Sequence, residues 1–302
     1  MKSVKVILLS IVAMLLVSCG TTSTVPITGR KQNLLVSDEQ VLSLSNQQYQ
    51  EYMKTAKAST NAANTAMVKR VGQNLANAVV NYLNANGLSN DVQNYKWTFN
   101  LVQDKQVNAW CMPGGLICVY EGLLPVTQDE ASLAIVLGHE IAHAVARHSA
   151  EQMSTQMKQQ YGLQIGTMVA GALGMGTNTQ SIVQAIVAQG FNFKNLKYSR
   201  NHENEADHMG LIFAAMAGYD PQVATKFWQR MAAQSTNQTA EFLSDHPSDA
   251  TRIQNIQGWM PEALKYYKPK TTTTTTAKSS TSTAKKATTT KKTTTTKKTT
   301  KK

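Results

Sequence analysis

Two histidines four residues apart, His139 and His143, bracket a glutamate, Glu140, inside a long apolar run. On an α-helix that spacing turns both imidazoles to one side. Two neutral imidazoles so placed can grip one Zn²⁺, each at roughly 2.0–2.1 Å. Glu140, one position on, is rotated away from direct ligation yet close enough to reach a water on the metal, where a general base belongs. The pattern therefore reads as a zinc hydrolase of the peptidase kind. The bland alternative is a solvated or salt-bridged helix face. A helix is expected from Asp129 to about Met153, with Thr127-Gln128-Asp129-Glu130 as a capping box at its start.

A zinc site of this kind needs a third protein ligand and an open position for water. The richest cluster of ligand-capable groups elsewhere is Tyr198 to Gly210, which opens a second helical pattern. His202, Glu203, Glu205 and His208 could each bind a metal. Spacing separates them only in part. Glu203 and Asp207 share one face, and Asn204 and His208 share another.

Around these residues the hydrophobic periodicity predicts an α+β, mainly helical domain. Helices are expected from Ser37 to about Ala58 and from Asn61 to Asn84, where Asn86-Gly87 stops the second. Strands are expected at Tyr95–Val102, Val107–Cys111 and Leu116–Tyr120, the last two about a Pro-Gly-Gly turn. They would make a short antiparallel sheet beside the metal helix. An edge at Asn108, Ala109 and Trp110 could take an extended peptide main chain to main chain. A sheet that only floors the core would give the same pattern. The glycine-rich stretch Gly162–Gly176 is too short to span a membrane and reads as a mobile hairpin over the site or a buried one. Tyr219–Ala233 and Pro247–Trp259 read as closing helices. Cys111 and Cys118 flank the tight turn and are expected as two buried thiols, since disulfide geometry is demanding.

The formal charge of +12 misleads about partners. The lysines concentrate in Lys268–Lys302, which has no acidic residue, with Lys2 and Lys5 in the leader, and the body between is near neutral. Nothing in it argues for nucleic acid binding. Residues 1–18 have the charged start and apolar run of a secretory signal, ending in Leu16-Val17-Ser18-Cys19. That ending resembles a bacterial lipobox, which implies lipidation of Cys19, and Gly20-Thr21 resembles sorting signals for the outer membrane. Residues 19–33 read as a tether, 34–267 as the folded domain and 268–302 as a disordered tail. Such a tail could touch anionic envelope polymers or lipid headgroups, or have no specific partner.

The motifs together resemble the M48 (Ste24/HtpX/Oma1-like) zinc metallopeptidases, and within them the periplasmic lipoprotein members. The resemblance rests on H-E-x-x-H, then Ser199-Arg200-x-x-Glu203-x-Glu205-Ala206-Asp207-x-x-Gly210. It also rests on Asn108-Ala109-Trp110-Cys111-Met112-Pro113-Gly114-Gly115 before the helix and on Asp245-His246-Pro247 with Arg252-Ile253 after it. Thr28-Gly29-Arg30 matches the opening of the lipoprotein members. The resemblance implies a zincin-like fold holding one Zn²⁺ per chain on His139, His143 and Glu203, with Glu140 shuttling the proton. It implies that Asp207 orients a ligand imidazole, and that His246 and Arg252 face the site and help hold an oxyanion. In some relatives the equivalent histidine is thought to fill the fourth zinc position and keep the enzyme shut. His202 and His208 then become exposed helix polars, and Glu205 a local partner of Arg200.

Two function classes follow. One is an envelope quality-control endopeptidase, lipid-anchored to the outer membrane and facing the periplasm, that degrades unfolded or misassembled proteins. The other is a chaperone-like assembly factor whose zinc site is usually closed. A third, a glycan-binding lipoprotein with a structural metal, is disfavoured by Glu140.

Overall fold

The computed structural model describes residues 21–171, 179–234, 242, 246 and 250–269, and their side chains except those of 160–171, 179–181, 234 and 250. The leader with Cys19, residues 172–176 of the glycine-rich stretch and the Thr/Lys tail from residue 270 fall outside the described residues, while 162–171 of that stretch are helical. Among the described residues no helix is long and apolar enough to cross a membrane.

The chain opens with a hairpin, β1 (Thr21–Thr24) paired antiparallel with β2 (Lys31–Leu34). The expected tether over 19–33 is thus folded from Thr21 onward. Val25 is 1% exposed in the main core, and the Leu35 N–H donates to Ser154 Oγ at 2.9 Å. An apolar anchor and specific hydrogen bonds outweigh the flexibility expected of a polar segment with Pro26 and Gly29.

Helix α1 (Asp38–Thr55) starts at a capping box between Ser37 and Gln40, and α2 (Ala62–Ala85) at Asn61. Strands β3 (Thr98–Val102), β4 (Ala109–Met112) and β5 (Leu116–Tyr120) form a sheet in the order β3-β5-β4. β4 and β5 are antiparallel across the Pro113-Gly114-Gly115 turn, where both glycines have positive φ. β3 runs parallel to β5, so the sheet is mixed where an antiparallel one was expected. A long excursion, Gln103–Asn108, returns the chain to the far side of β5 and makes that pairing possible.

Alternation along the strands feeds two cores. Phe99, Leu101, Ala109, Cys111, Ile117 and Val119 face one, and Val102, Trp110, Met112, Leu116, Cys118 and Tyr120 the other. Cys111 and Cys118 therefore lie on opposite faces, as two free buried thiols.

Helix α3 (Glu130–Val145) runs through the middle of the molecule against α2, β4, α6 (Arg200–Met216) and α7 (Val223–Gln234). Every residue from Ser132 to Val145 is buried. A helix apolar all round belongs in a core, and here His139, Glu140 and His143 are its only ionisable groups along that length. The cap differs from expectation. Asp129 accepts from the Ser132 N–H at 2.6 Å, while Thr127 Oγ1 donates back to Leu124 O and Glu130 pairs with Arg70 on the surface. The box at Thr127 fails because Gln128 has φ 67° and breaks the chain direction between Thr127 and the helix.

α3 also stops earlier than the expected Met153. Arg147 takes a left-handed φ of 55°, and α4 (His148–Gly171) sets off on a new axis. That conformation is unfavourable for a side chain with a Cβ. It is held because the guanidinium bonds Asp38 Oδ2 at 2.8 Å, Asp91 Oδ1 at 3.0 Å and Ser23 Oγ at 3.1 Å. Helices α5 (Thr179–Ala188) and α8 (Ala250–Tyr266) complete the longer elements among the described residues.

Candidate metal centre

α3 and α6 cross with nothing between their backbones. A Cβ on Gly138 would lie 2.7 Å from Gly210 O, and one on Gly210 would lie 2.6 Å from His139 N. Two glycines at the contact let the axes approach more closely than side chains allow. Two helical turns before Gly210, this brings Glu203 onto the imidazoles of α3. α6 is started by Ser199, whose Oγ accepts from the His202 N–H.

His139, His143, Glu203 and His246 are 1%, 1%, 4% and 4% exposed and point ligand atoms at one another. His139 Nε2 is 3.1 Å from His143 Nε2 and 3.1 Å from His246 Nδ1. Glu203 lies 3.4 Å from each α3 imidazole through Oε2 and Oε1, and 3.0 Å from His246 Nδ1. Donors at about 2.0–2.1 Å from a tetrahedral centre stand ~3.3 Å apart. The residues therefore fit a zinc ion in spacing as well as in type. Glu140, 2% exposed, adds a second sign, because its Oε1 has no hydrogen-bond partner. His246 Nε2 is 3.6 Å from that oxygen.

The electrostatics agree. Burial would lift the Glu203 carboxyl, but His246, His139 and His143 hold it well below the usual carboxylate range. Burial would depress His139, yet Asp207 and Glu203 outweigh it and raise the imidazole to about 9. The carboxylates of Asp207 and Glu203 thus favour positive charge at this point. Burial pushes His143 down, keeping it neutral, and pushes Glu140 up, with His246 and His139 opposing.

Behind His139, Asp207 Oδ1 meets Nδ1 at 2.9 Å. Arg252 clamps Asp207 with Nε and Nη2 at 2.6 and 2.7 Å, and its guanidinium lies 3.5 Å from the centroid of the Trp228 ring. Where an oxyanion donor was expected, Arg252 stands behind the imidazole. It also reaches His139 Nδ1 and His246 O, each at 3.3 Å, and Glu203 Oε2 at 3.6 Å.

Other expectations are corrected in the same region. Glu205 is bonded not by Arg200 but by Thr28 Oγ1 and Arg30 Nε of the β1–β2 hairpin and by His148 Nε2. His202 is buried, stacked on His148 with 4.4 Å between ring centroids and 3.2 Å from Glu151 Oε2. His208 is half-buried, stacked on Trp259 and bonded to Glu262 at 2.7 Å. Sequence reading gave no part to His148, whose Nδ1 lies 2.9 Å from His143 Nδ1, or to Tyr198, whose ring stacks on His143 at 4.1 Å. The five-residue step from His143 to His148 conceals the contact, because it depends on the break at Arg147.

Ala109 and Trp110 lie on β4, the outer strand of the sheet next to α3, with Asn108 just before it, but all three are buried. The carbonyl of Val107 just before them accepts from the Phe242 N–H at 3.2 Å. Phe242 stacks on His246 with 4.6 Å between rings.

A buried H-E-x-x-H helix joined by a glutamate from a second helix is a metallopeptidase arrangement. The family model of peptidase family M48 matches residues 62–260, from α2 into α8, and the chain belongs to that family. Its members are zinc-dependent, and the His139, His143, Glu203 and His246 group could hold the ion. The chain is 32% identical over 246 residues to the mitochondrial metalloendopeptidase OMA1 of Homo sapiens, covering 80% of this chain and 46% of that one. It is 28% identical over 225 residues to metalloprotease LoiP of Escherichia coli (strain K12), covering 74% and 82%. With the beta-barrel assembly-enhancing protease of Yersinia pestis it shares 27% over 168 residues, covering 53% and 33%. The chain spans about half the length of the OMA1 relatives it matches.

Proposed function

We propose that the chain is a zinc endopeptidase of the bacterial cell envelope acting on unfolded or misassembled envelope proteins. The observation that carries this reading is the set of four buried donors within 4.8 Å of one another, Glu203 and His139 each 3.0–3.4 Å from the other three, with an unpartnered Glu140 oxygen beside it. His139, His143 and Glu203 would hold the ion, with His246 Nδ1 placed to be a fourth donor at rest. A bound Zn²⁺ supplies Lewis acidity, polarising a carbonyl oxygen and acidifying water.

The rest is the work of side chains. Glu140 Oε1 accepts a proton from the attacking water and returns it to the leaving amine nitrogen. Its burial-raised pKa suits it to both steps. Asp207, itself clamped by Arg252, orients His139. An extended substrate pairs with the edge at Asn108–Trp110 once Phe242 has given up its bond to Val107 O. His246, freed from the ligand cluster, then has an N–H to offer the developing negative charge.

The envelope assignment is supported by the leader and by Leu16-Val17-Ser18-Cys19, which suit residues 1–18 to removal and Cys19 to lipidation. The domain then runs from Thr21 to about Tyr267, and the Lys-rich tail from 268 to 302 meets anionic envelope polymers. The chaperone-like alternative is favoured by one feature, the filling of the fourth donor position by His246.

Cleavage of a denatured substrate separates the two readings. Wild type should cleave and Glu140→Gln should not, while His246→Ala, which opens the fourth position but loses the N–H offered to the oxyanion, should cleave more slowly than wild type. Substrate binding without cleavage by wild type and His246→Ala alike would favour the assembly factor.

A further inference from the structure

The two imidazoles of α3 are backed differently, and the backing of His143 reaches the N-terminal hairpin. Arg30 Nη1 and Nη2 grip Glu151 at 2.9 and 2.7 Å while its Nε donates to Glu205 Oε2 at 2.8 Å. Thr28 Oγ1 donates to the other Glu205 oxygen. Glu205 Oε2 meets His148 Nε2 at 3.0 Å, and His148 Nδ1 meets His143 Nδ1 at 2.9 Å. His148 is 0% exposed.

With both imidazoles neutral, the donor and acceptor inventory orders this row in one way. An ionised carboxylate only accepts, so the His148 proton sits on Nε2. Its Nδ1 is then a lone pair and must receive a proton from His143 Nδ1. That leaves the lone pair of His143 Nε2 aimed at Glu203 and His139. We propose that Arg30, Glu205 and His148 are positioning residues that fix the tautomer and ring orientation of His143, making the β1–β2 hairpin a working part of the metal centre.

The proposal rests on the zinc reading above, though its first readout needs no metal. Two further ties seat the hairpin on the same corner, Ser23 Oγ on Arg147 and Leu35 N–H on Ser154. His202, stacked on His148 and bonded to Glu151, holds the row from the side. Glu205 thus serves His143 as Asp207 serves His139, with one imidazole interposed and a different arginine behind.

The test uses the full chain, prepared metal-free and then titrated with zinc. With six histidines in the chain, imidazole nitrogen NMR can assign the proton of His143. In wild type it should sit on Nδ1. In His148→Phe, which keeps the ring but loses its nitrogens, the single tautomer should be lost, and zinc affinity against a competing chelator should fall about 10–100-fold. His148→Asn, with Oδ1 near the old Nδ1, should regain most of both. Glu205→Gln should move both readouts in the same direction and serves if His148→Phe does not fold. Unchanged tautomer and affinity in the folded variants would overturn this proposal alone. Wild type that takes up no zinc at all would overturn the metal centre with it.

Discussion

His139 and His143 sit one turn apart on the same buried helix, yet the elements that steady them come from opposite ends of the chain. Behind His139 the carboxylate of Asp207 is on α6, and the arginine that holds it is on α8. Behind His143 the line runs through His148, across a helix break, to Glu205 and then to Arg30, 175 residues away in sequence. The first arrangement is short, dry and made by helices alone, the pair that cross at Gly138 and Gly210 with α8 behind them. The second is longer and partly wet, since the Arg30 side chain is 33% exposed. The contrast teaches that one metal centre can have a rigid half set by helix packing and a half that depends on a peripheral strap.

The rigid half should break hardest. Gly210→Ala drives a methyl to 2.6 Å from the His139 backbone nitrogen. Separating the two helices should cost about 1–3 kcal/mol of stability and abolish zinc uptake, read by denaturant unfolding and metal analysis. Arg252→Ala leaves Asp207 charged and buried without its partner, an expected loss of roughly 3–5 kcal/mol in the same unfolding measurement. Arg252→Lys should recover only part of it, because the bidentate grip is gone.

The strap half should yield more gently, and acid should find it first. Burial alone would raise Glu151 and Glu205. His202 and Arg30 on the former, and His148, Thr28 and Arg30 on the latter, instead lower both to about 2 from 4.5. Because the folded-state values are depressed, the stabilisation is fully present above the unfolded value. It is lost as pH falls from about 4.5 toward 2. Thermal melts across that window should show a decline that is shallower in Arg30→Gln, and Arg30→Gln should itself cost roughly 1 kcal/mol or less at neutral pH. The smallest effect is expected at the thiols. Cys111 and Cys118 face different cores, so adding a reductant should leave the melting temperature unchanged.

Much of the rigid half was legible in the sequence, since local rules and one resemblance cover it. The i, i+4 histidines, the helical pattern opening at Tyr198 to Gly210 and the Glu203–Asp207 face follow from helical spacing, and the choice of Glu203 over its neighbours from the family pattern. The strap was not legible. Thr28-Gly29-Arg30 was noticed only as an opening motif, because nothing in local composition tells a tether from a hairpin whose partners lie on α4 and α6. Glu205 was assigned to Arg200 by proximity along the chain, although Arg30 and His148 lie closer in space. The parallel pairing of β3 with β5 and the break at Arg147 escaped for the same reason. Each is stabilised by distant residues, Asp38 and Asp91 in the second case, and not by a signal at the site itself.

The account rests on two helices meeting to hold one ion, and zinc content measured on purified Glu203→Ala beside wild type tests that most directly. Wild type should carry one zinc per chain and the variant essentially none, while Glu140→Gln, a change outside the ligand set, keeps a full equivalent. A folded Glu203→Ala protein that still carried one zinc per chain would contradict the account.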